Sequence, residues 1–155
     1  MKNTKDKEGW HTKLGTYIAI IALIITVWQI IPNKVKHLNG EWIMITEISD
    51  SKFSSYKGMT VQWKMFVCEN GNVIKGTGEK IKINNVFLDA KDRTTLEFEG
   101  SIKDDKIAIN YTEFGKLRKT SGIIIANLGH DQFSGTFSQS AADTTGKVEA
   151  KKITN

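Results

Sequence analysis

MTVQWKMFVCENGNVIKGTGEKIKI, residues 59–83, decides the fold class. Val61, Trp63, Met65 and Val67 alternate with Gln62 and Lys64, the period-two pattern of a half-buried strand. Glu69-Asn70-Gly71-Asn72 then reads as a hairpin turn, because Asn-Gly accepts positive φ at both central positions. A second run, Val73–Ile83, returns along the first.

The same signature extends outward in both directions. Trp42–Ile48 precedes the hairpin, and Thr94–Ile102, Lys106–Thr112, Leu117–Asn127, Gln132–Ser138 and Lys147–Ile153 follow it. Turn residues separate them: Asn84-Asn85, Lys103-Asp104-Asp105, Gly115, Gly129-His130-Asp131 and a small-residue loop, Ala141–Gly146. No long helical period occurs after Leu38. About eight short strands joined mainly by tight turns predict an all-β, eight-stranded, up-and-down β-barrel, since closure removes exposed edges. Phe98-Glu99-Gly100-Ser101-Ile102 and Phe133-Ser134-Gly135-Thr136-Phe137 share one pattern, and Ile74-Lys75-Gly76-Thr77 is a weaker copy. A glycine inside a strand permits the sharp coiling that a small closed sheet needs. Charges on both faces, such as Lys80 with Lys82 and Glu97 with Glu99, argue against a lipid-facing barrel.

The chain has 155 residues, 39% hydrophobic and 25% charged, with one Pro and one Cys. This excludes a disordered chain, a collagen-like repeat and a disulfide scaffold. The net charge of +5 is unevenly placed. Residues 1–37 hold six lysines against Asp6 and Glu8, while residues 38–155 hold sixteen basic and fifteen acidic residues. The basic excess is thus N-terminal, and polymeric nucleic acid is not an expected partner.

LGTYIAIIALIITVWQII, from Leu14 to Ile31, is eighteen residues without a charge. As a helix it spans about 27 Å, close to the roughly 30 Å hydrocarbon core of a bilayer. Tyr17 and Trp28 sit near its ends, Lys13 and Lys34 bracket it, and Pro32 ends it. The run is too long for a signal-peptide core, and no small-residue cleavage site follows. Residues 1–13 are therefore expected as a basic tail, 14–32 as a single transmembrane helix, 33–38 as a linker and 39–155 as the barrel. The lipid bilayer is the first expected partner. Lys2, Lys5, Lys7 and Lys13 outnumber Lys34 and Lys36, which favours the barrel outside the cytosol. Gly15 and Ala19 form a small-xxx-small pair suited to helix association.

Chemistry-bearing residues are sparse. His11, His37, His130 and Cys68 give no metal-ligand spacing, and no nucleophile motif, Walker loop or dinucleotide fingerprint occurs. No catalytic residue, metal ligand or cofactor is expected, and the chain reads as a binding module rather than an enzyme. The informative polar cluster is Tyr111–Ser121. Arg118 carries a planar fork suited to phosphate or carboxylate, Lys119 adds charge, and Tyr111 offers a stacking face. With Lys64 these are the candidate contacts for a small anionic ligand at the barrel mouth. The competing reading of the cluster is a solvated hairpin tip with a Glu113–Arg118 pair. Trp63, on the apolar face, reads as core.

Asn39-Gly40-Glu41-Trp42 resembles the G-x-W opening of a lipocalin-like barrel, where Trp closes the floor beneath a basic residue from a late strand. That resemblance leaves Lys147, Lys151 or Lys152 for the basic partner. The layout of hydrophobic N-terminus plus small barrel is also similar to the membrane-anchored β-barrel effectors of bacterial cyclic-oligonucleotide anti-phage systems, of the CD-NTase-associated type. Members of that group typically carry two transmembrane helices, whereas this chain offers one. The resemblance implies a bacterial inner-membrane protein with a cytosolic barrel that binds a cyclic oligonucleotide, forms homo-oligomers and disrupts the membrane. The alternative is an extracytoplasmic envelope protein whose barrel holds a lipid or apolar ligand, or is filled and acts as a scaffold.

Overall fold

The computed structural model describes residues 38–154, and these form a barrel. The expected basic tail 1–13, transmembrane helix 14–32 and most of the linker lie outside the described residues. Among the described residues no helix is long and apolar enough to cross a membrane.

Among the described residues nine strands occur: β1 (Gly40–Asp50), β2 (Thr60–Asn70), β3 (Val73–Ile83), β4 (Val86–Phe87), β5 (Thr95–Lys103), β6 (Lys106–Phe114), β7 (Lys119–Leu128), β8 (Gln132–Gln139) and β9 (Thr144–Lys152). Each long strand pairs antiparallel with its neighbours in sequence, and β1 pairs with β9. Eight strands therefore close an up-and-down barrel. β4 is a short excursion that folds back on the end of β3. All eight ladders and the buried cluster come from residues 38–152, so the barrel owns a complete core.

Alternation sets the interior. Trp42, Met44, Thr46 and Ile48 of β1 are buried while Ile45, Glu47 and Ser49 are exposed. At one end Leu38, Trp42, Ile74, Ile107 and Phe133 close the floor. Trp42 Nε1 donates to the Leu38 carbonyl at 2.8 Å, and the Trp42 and Phe133 ring centroids are 5.7 Å apart. Lys152 stands directly across from Trp42, whereas Lys147 and Lys151 are exposed. The first described residue, Leu38, thus enters at the floor, and the long loops lie at the opposite end, the mouth.

Three mid-strand glycines face an interior aromatic ring, whereas Gly78, Gly100 and Gly135 face Leu96, Ile109 and Ala126. Gly76 faces Phe98, Gly122 faces Tyr111, and Gly146 faces Phe137 across paired strands. A Cβ on any of them would come within 3 Å of that ring. The missing side chains make room for interior aromatics where the sheet coils most tightly.

Two turns differ from the sequence reading, and a third, at Asn84-Asn85, forms as expected but leads into an extra strand. The first hairpin turns at Gly71-Asn72, because Asn70 pairs with Val73, and only Gly71 has positive φ. Asn84 and Asn85 do take positive φ together, joining β3 to the unforeseen β4. The expected loop 141–146 ends at Asp143, since Thr144 and Gly146 already face the interior as part of β9.

Candidate functional site

Below the mouth the barrel is filled. Internal spaces near Trp42 and Phe98 measure about 10 Å³ each, at the limit of a single water. The mouth itself keeps a cavity of about 120 Å³. Its walls are apolar, with Met44, Ile48, Met59, Val61, Leu96, Ile124 and Phe137. Six side chains with polar groups interrupt them: Thr46, Tyr56, Lys80, Tyr111, Glu113 and Gln139.

Strand phase places these groups. From Ile74 inward positions recur at Gly76, Gly78 and Lys80, and Lys80 pairs directly with buried Trp63. A register shift at Gln62/Trp63 then disturbs the end of β3. On β6 the phase runs Ile107, Ile109, Tyr111, Glu113. Lys80 and Glu113 meet as an ion pair, with side chains only 16% and 13% exposed. Thr94 Oγ1 donates to Glu113 Oε1 at 2.8 Å, and Lys80 Nζ lies 5.0 Å from the Trp63 ring centre. The Tyr111 hydroxyl donates to Gln139 Oε1 at 3.1 Å. Burial, and secondarily the Glu113 carboxylate, push the Tyr111 phenol well above its ordinary range. It is therefore a neutral donor throughout the physiological range.

The four candidate contacts do not converge on one point. Tyr111 points into the mouth. Lys64 faces outward, paired with Glu41 at 2.9 Å, because its neighbours Trp63 and Met65 take the interior. Arg118 and Lys119 are exposed at the β6–β7 turn on the mouth rim, with Lys119 5.0 Å from the Phe114 ring. A Glu113–Arg118 pair does not form, since Glu113 stands opposite Thr120 and turns inward to Lys80. Sequence reasoning missed Lys80 and Glu113 as partners, although both sit in phase with apolar residues of their own strands.

The rim is richer in cations than the floor. Lys52, Lys57, Arg93 and Lys116 pair with Asp143, Asp50, Glu79 and Asp92. Among the described residues Lys82, Lys91, Arg118 and Lys119 have no carboxylate partner; Lys82 lies 4.2 Å from the Phe87 ring centre. A larger hollow of about 790 Å³ lies over β5–β9, lined by Glu97, Glu99, Asn110, Ser121, Ser138 and Asp143 among others. No lysine or arginine lines it and three carboxylates do, which disfavours an anion there. Among the described residues no cluster of His, Cys, Asp and Glu could hold a metal.

No protein-family model matches the chain, and no curated protein matches it.

Proposed function

We propose that this chain is a membrane-anchored binding module whose barrel mouth takes a small anionic amphiphile. The observation that supports this reading is the Lys80–Glu113 pair set among apolar walls in a cavity of about 120 Å³. An ion pair at such depth adds little stability over apolar packing of the same volume. Its presence suits recognition better. The ammonium has three N–H donors, of which Glu113 occupies one, and a ligand oxygen can take another. An apolar ligand body fits the cavity walls, and its head group meets Lys80 and the cationic rim. The anchor of this reading is the uncharged run at residues 14–31.

A second reading, a cyclic-oligonucleotide effector that self-associates and disrupts the membrane in anti-phage defence, has one observation in its favour. Lys82 with Phe87 and Lys119 with Phe114 put cations beside aromatic faces on the rim. Such a ligand exceeds the cavity, because nucleotide-sized sites run to about 300–1,000 Å³. It would lie across the rim instead.

Calorimetric titration separates the two. Hexanoate should bind the wild type and lose about tenfold or more in affinity in Lys80→Met with Glu113→Gln, a pair of changes that leaves no lone charge. Cyclic dinucleotide binding, lost in Arg118→Ala with Lys119→Ala and indifferent to Lys80, would favour the second reading. Absence of both would overturn the mouth as a ligand site.

A further inference from the structure

The four most exposed large apolar side chains among the described residues all lie on mouth loops. Leu117 is 99% exposed, Val86 and Phe87 68% each, and Phe53 57%. They come from three separate loops, which are tied to one another. The Thr60 amide donates to Asn84 Oδ1 at 3.0 Å, and Lys116 Nζ meets Asp92 at 2.7 Å. The apolar tips therefore project from a cross-braced ring. Among the described residues, cations without a carboxylate partner stand beside two of them: Arg118 follows Leu117, and Lys82 lies 4.2 Å from the Phe87 ring centre, while Lys116 and Lys52 are paired with Asp92 and Asp143.

We propose that this rim is a docking surface for an anionic lipid bilayer. Discrete apolar tips around a polar opening do not make the contiguous, closely packed patch of a protein interface. They suit the headgroup region, into which separate side chains insert while flanking Lys and Arg keep their charges at lipid phosphates. Charge complementarity points the same way, because the rim has cations in excess of its carboxylates, whereas at the floor Glu69, Asp104, Asp105 and Asp131 stand against Lys103, Lys106 and Lys152. The surface goes beyond the ligand pocket and does not depend on it. It lies at the end of the barrel away from Leu38.

The test is cosedimentation of residues 36–155, which hold the complete barrel core and omit the apolar N-terminal run, with vesicles. The fragment should partition onto phosphatidylcholine–phosphatidylglycerol vesicles, less so as salt is raised, and little onto phosphatidylcholine alone. Leu117→Ser with Phe87→Ser should lower partitioning about tenfold or more while leaving the melting temperature unchanged. Arg118→Ser should weaken binding and flatten its salt dependence. The proposal is overturned if the anionic vesicles do not bind the fragment, or if the double variant binds them as the wild type does. It is equally overturned if the rim instead holds two fragments together without lipid, which would make a second copy the occupant.

Discussion

Tyr111 shows how one interior position couples packing to charge. Its ring fills the space left by Gly122, its hydroxyl donates to Gln139, and Glu113 lies on the same inward face. Because its folded pKa is raised above the unfolded value near 10, the stability it protects is intact below that pH. As pH rises past 10 the unfolded chain releases the proton and the folded chain retains it, so stability falls. Tyr111→Phe should cost about 1 kcal/mol near neutrality from the lost hydrogen bond. It should also remove part of the alkaline loss of stability. Urea titrations of both proteins at neutral pH and above pH 10 check this; parallel pH curves would refute the account of this residue.

At the scale of elements, the glycine–aromatic pairs are what let eight short strands close. Gly146 sits on β9 where it meets β1, and a Cβ there would lie 2.0 Å from the Glu47 carbonyl oxygen. Gly146→Ala should therefore destabilise the barrel by about 2 kcal/mol or more, since the obstacle is backbone that cannot step aside. A denaturant midpoint equal to the wild type would contradict this. The recurring F-x-G pattern was legible in the sequence because the glycine and the residue two before it share a face. The strands were legible for the same reason, with ends shifted by a few residues. β4 was not, because a two-residue strand carries no period. The turn at Gly71-Asn72 was misplaced by one residue, since pairing of Asn70 with Val73 depends on the ladder and not on the local dipeptide.

For the barrel as a whole, one end is sealed and the other is equipped. The floor is closed by Trp42, Leu38 and Phe133, while the mouth gathers the cavity, the internal ion pair and the loops. The sequence reading reached the barrel and the basic β6–β7 turn. It did not assemble the site, because Lys80 and Glu113 are 33 residues apart and meet only once the sheet closes. Lys64, a candidate ligand contact from the sequence, lies on the outer face because it falls one position out of phase with Trp63.

Methionine methyl NMR reads the mouth cavity directly. Of the four methionines, Met44 and Met59 line the cavity, Met65 lies deeper among Trp42, Val67 and Phe133, and Met1 lies outside the described residues. Titrating hexanoate into methyl-labelled residues 36–155 should shift Met44 and Met59 and leave Met65 in place. Ligand binding that moves none of the three, or Met65 alone, would contradict the mouth as the binding site.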